Sequence, residues 1–447
     1  MSESRAYREL GEAGWAWVLE QVRDDDGPWL PDSVTDDPPD APAWDRDSLY
    51  SGIAGLAPVL AEIRCGRPWT TTERGLADAV VARLGTQAAV RVEPSLYDGL
   101  AGDVTALRLL SAGSEQVALQ RLSTLATPNG WPTTLDLQPG STAPANDVIS
   151  GTAGIVLAAA WVGDDQGLAL AETGCEALLR AADRTQAGLD WAMWPGLQSR
   201  GPNYSHGTAG VAAALAVTGH LLGRDDLVAA AVEGARHLLA VGSLADDGFV
   251  VPHTIPPSRR EVEPVTYTWC HGPTGTSHLF AALRLAGVTS PDVTDLHRRC
   301  LHSVLTCGLP QRLRPGFWDN DGRCCGTAGV GDMLLDAAQT AHHEAAPQRA
   351  HDLLTAAGEM ADALVERAIR GTGSDADLGE RAYWRFVEYR QDPPLLPPGT
   401  SWMQGAAGIA AYLLRLARVL DDGLDAVVVD RPDQWWAVPQ SLRLTGR

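Results

Sequence analysis

The sequence predicts an all-α fold, an α/α toroid (barrel) built from seven helix-pair repeats. Three observations lead there. A Gly-x-x-Gly motif recurs seven times, each copy opening a small, apolar run. The runs alternate with stretches whose apolar residues fall on one helical stripe. Neither end of the series carries a polar capping repeat, so the array is expected to close as a ring rather than end as an open solenoid.

In chain order the copies are Tyr50-Ser-Gly-Ile-Ala-Gly55, Tyr97-Asp-Gly-Leu-Ala-Gly102, Ile149-Ser-Gly-Thr-Ala-Gly154 and Ser205-His-Gly-Thr-Ala-Gly210. Cys270-His-Gly-Pro-Thr-Gly275, Cys324-Cys-Gly-Thr-Ala-Gly329 and Met403-Gln-Gly-Ala-Ala-Gly408 complete the set. Successive first glycines lie 47 to 79 residues apart, room for two helices each. After Gly210, Val211 to Leu222 is mostly Ala, Val and Leu and reads as an inner helix buried nearly all round. Asp225-Asp226 then start an outer helix with Leu227, Val228, Ala231, Val232, Ala235, Leu238 and Leu239 on one stripe, stopping near Gly242. Ile155 to Ala160 followed by Ala169 to Ala182 repeats the theme. The glycines fall at inner-helix N-termini, where chains converge and backbones approach without Cβ atoms. Loop-like segments, Asp24 to Pro42, Pro128 to Pro144, Ala245 to Tyr267 and Asp375 to Thr400, are placed on a rim. Residues 1–447 thus read as one toroid domain, with repeats from about 50 to 408.

Composition narrows the function. The 447 residues are 45% hydrophobic and 20% charged, enough apolar material for a core. The net charge is −21, and every one of the 35 basic side chains is arginine. Such a surface is repelled by a phosphate backbone, so nucleic acid is not an expected partner, and an anionic membrane surface is disfavoured likewise. No signal peptide or membrane span is read. Seven cysteines without a signal peptide point to reduced thiols and a cytoplasmic protein.

The residues just before each repeat glycine line one end of the ring. There stand Tyr50-Ser51, Tyr97-Asp98, Ile149-Ser150, Ser205-His206, Cys270-His271, Cys324-Cys325 and Met403-Gln404. Cys65, Cys175, Cys300 and Cys307 fall in or beside outer-helix patterns and read as small buried hydrophobes. Cys270, Cys324 and Cys325 converge, with histidines alongside. Three soft ligands and an open fourth position make a catalytic rather than structural metal pattern, and thiolates select zinc. An all-thiolate set lowers the Lewis acidity of a metal, which suits activation of a substrate thiol better than hydrolysis by a metal-bound water.

These motifs together resemble the LanC-type lanthipeptide cyclases, from Tyr50 to Gly408. The resemblance implies an α/α toroid with a zinc ion at one end. It implies addition of peptide cysteine thiols to dehydroalanine or dehydrobutyrine, giving thioether rings. Cys270 and Cys324 match the family's zinc cysteines. Cys325 stands where most members have a histidine, as in a subgroup with three thiolate ligands. His206 matches the family's active-site histidine and Asp147 its active-site aspartate. The arginine often found shortly before the Trp-Cys pair is missing from Val265-Thr266-Tyr267-Thr268, leaving Arg259, Arg260 or Arg323 as substitutes. With no long extension for a fused dehydratase or kinase, the chain reads as a stand-alone cyclase. Its expected partner is a dehydrated precursor peptide (leader plus core), with a separate dehydratase upstream. The competing readings are a LanC-like transferase adding glutathione to dehydroamino acids in proteins, and a non-catalytic toroidal scaffold with a structural zinc. A glycoside-processing toroid would need two placed carboxylates; Asp147 and Asp98 qualify, but neither explains the thiols.

Overall fold

A computed structural model describes residues 2–35, 45–135, 143–257, 264–311, 320–372, 380–388 and 391–443. Six of the repeat glycines cap the N-termini of inner helices: α4 (Leu100–Leu110), α6 (Thr152–Val162), α8 (Thr208–Leu222), α10 (Pro273–Leu285), α12 (Thr327–His343) and α14 (Ala406–Asp422). Gly52 opens a single 3-10 turn that leads into α2 (Leu56–Gly66). The inner helices pack each against the next, and α14 packs against α2. That closes the ring, an α/α toroid as the sequence predicts.

The outer layer comprises α3 (Thr71–Ala88), α5 (Gln116–Leu125), α7 (Asp165–Ala181), α9 (Asp225–Val241), α11 (Pro291–Thr306) and α13 (Pro347–Arg367). The layers differ as their sequences do. All of α6 is buried except Trp161, whereas α9 buries one stripe centred on Leu227, Ala231, Ala235 and Leu238. Starts are fixed locally. Thr70 and Glu73 form a reciprocal capping box on α3, and the Asp164 carboxylate accepts from Gly167 N–H on α7. Asp225 and Asp226 lie in the first turn of α9, favourable to the helix dipole, while the cap position itself is Arg224. At the far ends of three outer helices a buried indole N–H donates to a last-turn carbonyl: Trp131 to Leu122, Trp191 to Leu178, and Trp384 to Leu364. Short antiparallel hairpins then lead back toward the inner ring, among them Asp183–Arg184 with Leu189–Asp190 and Ser243–Ala245 with Gly248–Val250.

The seventh pair is assembled from opposite ends of the chain. The helix before the first repeat, α1 (Glu3–Gln21), lies on the outside of α14. Beyond α14 the described residues form no outer helix. Residues 424–443 enter the barrel instead, where Arg431 pairs with Asp332 at 2.7 Å and the Trp436 indole donates to the His278 carbonyl. The tail also borders a cavity of about 580 Å³ at the C-terminal ends of the inner helices, away from the repeat glycines.

Candidate active site and metal centre

The seven residues two places before the repeat glycines are joined by a closed circuit of backbone hydrogen bonds. Tyr50 N–H donates to Tyr97 O, Tyr97 to Ile149, Ile149 to Ser205, Ser205 to Cys270, Cys270 to Cys324, Cys324 to Met403, and Met403 back to Tyr50. Every bond is 2.8–3.3 Å. Close approach demands the glycines. A Cβ on Gly210 would lie 2.0 Å from the Tyr204 carbonyl, and one on Gly275 would lie 1.9 Å from that of Trp269. The circuit sets the pre-glycine residues in one layer.

Cys270 and Cys324 are consecutive in that layer, and Cys325 comes directly after. The three Sγ atoms lie within 4.8 Å of one another, with Cys325 3.3 Å from Cys270 and 3.2 Å from Cys324. All are buried, and none is in a disulfide. A compact set of three soft donors fits a zinc ion, and among the described residues no other such group of His, Cys, Asp or Glu is found. Burial opposes ionisation of Cys270. It is outweighed by hydrogen bonds from the Cys324 and Cys325 thiols, the Thr268 hydroxyl and the His271 N–H, which hold Cys270 well below the usual thiol range. Cys324 is driven up by its bonds to the other two sulfurs. Of the remaining cysteines, Cys175 and Cys300 are buried in outer helices as expected of packing residues. Cys65 lies at the end of the inner helix α2 rather than in an outer one, and both it and Cys307 are only half-buried. Burial pushes Cys65 and Cys175 up to about 12 and Cys307 to about 11.

On the neighbouring repeat, His206 Nδ1 lies 2.7 Å from Asp147 Oδ2. Asp147 is fully buried, and its other oxygen accepts from Ser150 N–H at 3.1 Å. It does not cap α6, since Gly151 holds that position. A carboxylate on Nδ1 fixes that atom as the N–H and leaves Nε2 free for the mouth of the ring. The His271 ring is 5.6 Å from that of His206 and 3.7 Å from that of His253. His253, buried in the Ala245 to Tyr267 segment, is a member of this cluster that the sequence did not single out; the only signal was its place in a rim loop. Of the three candidate arginines, Arg259 and Arg260 lie outside the described residues. Arg323 is turned into the barrel, 2.8 Å from Asp332 and stacked 4.2 Å over Trp402.

Asp98 occupies repeat two, three steps around the circuit from both Cys270 and Cys324, and so faces them across the mouth. Burial first, then Asp45 and Glu93, push its carboxyl up to about 7. Below the circuit, Trp269 packs edge-on against Tyr97 at 5.7 Å and Tyr204 at 5.4 Å. This aromatic floor separates the thiols from the tail.

Residues 43–370 match the family described as lanthionine synthetase C-like protein. The chain belongs to that family. Among solved structures it is similar to nisin cyclase, with a TM-score of 0.57 and 16% identity over 83% of this chain and 89% of that one. Weaker likenesses are to the unsaturated glucuronyl hydrolase of Bacillus sp. GL1 (TM-score 0.44, 13% identity, 94% of this chain and 97% of that one) and to one specific for heparin (0.47, 10%, 94% and 98%). No curated protein matches the sequence. The family assignment and the likeness to nisin cyclase agree with the helical toroid seen here. Among the described residues of this family member, no helix is long and apolar enough to cross a membrane.

Proposed function

We propose that this protein is a zinc-dependent, cytoplasmic lanthipeptide cyclase, a single toroid domain that joins cysteine thiols of a dehydrated precursor peptide to its dehydroalanine or dehydrobutyrine residues. The observation that carries the reading is one layer of the ring: three clustered thiols on repeats five and six, and a carboxylate-oriented histidine on repeat four. Cys270, Cys324 and Cys325 would hold the zinc, which supplies a lowered thiol pKa so that a substrate cysteine reacts as thiolate near pH 7.

The chain's own residues account for the rest. The substrate sulfur bonds to the β-carbon of the dehydroamino acid, the carbon–carbon π pair moves toward the α-carbon and its carbonyl, and an enolate results. His206 delivers a proton from Nε2 to the α-carbon. The proton given up by the thiol restores His206, so the addition takes up no net proton. Asp147, fixed by Ser150 N–H, holds the ring in the productive tautomer and orientation. The aromatic floor keeps bulk water from approaching from the barrel side. The acidic surface suits a neutral or cationic peptide segment, and the rim loops 24–42 and 245–267 are the contact candidates. A separate dehydratase would supply the substrate.

Incubation with a dehydrated candidate peptide, followed by thiol alkylation and mass spectrometry, tests the reading. Loss of alkylatable thiols without change of peptide mass is expected. Full alkylation after long incubation with zinc-loaded protein overturns it.

A further inference from the structure

Two hydroxyls beside the sulfurs are unused by this mechanism. Thr268 Oγ1 lies 3.5 Å from Cys270 Sγ, in a fully buried setting, and no other partner of that hydroxyl is found among the described residues. Tyr50 lies beside Cys324, whose charge is among the causes, after burial, that hold the tyrosine hydroxyl in its protonated form. The circuit explains the second contact: Tyr50 stands two steps beyond Cys324, past Met403, and a tyrosine is long enough to span the gap.

We propose that Thr268 and Tyr50 are positioning residues that donate hydrogen bonds to Cys270 and Cys324 and set how tightly the three-sulfur cluster holds its cation. This rests on the reading of the three cysteines as a zinc site. The direction of donation comes from chemistry. A sulfur that ligates a metal is a thiolate and has no proton to give, so each hydroxyl must be the donor.

The need for donors comes from charge. Three thiolates around a divalent cation leave a net charge of −1, and a substrate thiolate would make it −2. That charge lies in a chamber where the cysteines are only 2–5% exposed, so water does little to solvate it. Hydroxyl donors on two of the three sulfurs spread the charge and fix the sulfur positions. Such outer partners are typically worth about 10- to 100-fold in metal affinity.

Thr268→Val and Tyr50→Phe remove the hydroxyls at nearly constant shape. Zinc titrated against a chromophoric chelator gives the affinity of each folded variant. Cobalt(II) in place of zinc gives the sulfur-to-metal charge-transfer band. Each variant is expected to bind zinc about 10-fold more weakly, with the effects multiplying in the double variant. The cobalt band should move to lower energy, because sulfurs stripped of a donor are more electron-rich. Thr268→Ser should restore both readouts. Unchanged affinity with an unchanged band overturns the inference, as does a Thr268→Ser protein as weak as Thr268→Val. Wild-type protein that binds no zinc refutes the metal reading itself, a distinguishable outcome.

Discussion

His206 and Asp147 illustrate what a sequence can disclose at the scale of single residues. Both are recognisable from the motif that carries them, since His206 directly precedes a repeat glycine and Asp147 lies four residues before another. Thr268 and His253 are not recognisable in this way, because only the ring brings them to the sulfurs or to His271; Tyr50 stands in a repeat motif, but nothing in that motif says its side chain reaches toward Cys324. His206→Ala should keep its metal yet lose about 10²- to 10⁴-fold in cyclisation rate, while Asp147→Asn loses less, measured by single-turnover mass spectrometry. A His206→Ala rate equal to wild type, above a slower spontaneous background, would move the proton-donor role to His271. Asp98 offers a test by pH. Its folded pKa, about 7, exceeds that of an unfolded aspartate, so the folded state binds its proton more tightly. Stability attributable to this group is therefore present below about pH 4 and lost as pH rises through 7. Asp98→Asn should melt higher than wild type at pH 8, and the difference should shrink toward pH 4.5.

The elements were legible where backbone geometry leaves a mark on composition. Seven helix starts need glycine because a carbonyl from the preceding turn presses on the second glycine of each motif, so the repeat shows in the sequence. Gly210→Ala would drive a methyl against the Tyr204 carbonyl and the Val148 side chain, 2.0 and 2.5 Å away. A loss of at least about 2 kcal/mol in chemical denaturation is expected. Gly85 is the contrasting case: it lies inside α3, and a Cβ placed on it would meet no atom within 4 Å. Gly85→Ala should stabilise by about 0.5–1 kcal/mol through helix propensity. Equal responses at the two sites would contradict the close-approach argument. The hairpins after the outer helices are only two to four residues per strand and left no readable alternation.

For the whole molecule, local sequence was informative up to the point where the ring had to close. Nothing in the pattern of residues 3–21 distinguishes the outer partner of α14 from any other amphipathic helix, and nothing in the apolar stretch around Val428 announces that it enters the barrel. Those facts depend on which surfaces remain uncovered once the rest has folded. The tail is held inside by charge. Asp332 accepts from Arg323, Arg415 and Arg431 at 2.7–2.8 Å, all buried. Arg431→Ala should cost about 3–5 kcal/mol by leaving buried charge uncompensated, and limited proteolysis should then release the C-terminal segment. The pairing of α1 with α14 has a different consequence. In an open stack of repeats the terminal units have one neighbour each and peel off first, so melting can begin at an end and spread. Here every unit has two neighbours, which imposes a periodic boundary on the array. Unzipping must first create an end, and the seam between the two chain termini is the place where no peptide bond resists it. The lifetime of the native state is then governed by the opening of that single seam, and a covalent link between α1 and α14 should slow unfolding more than the same link between any adjacent pair.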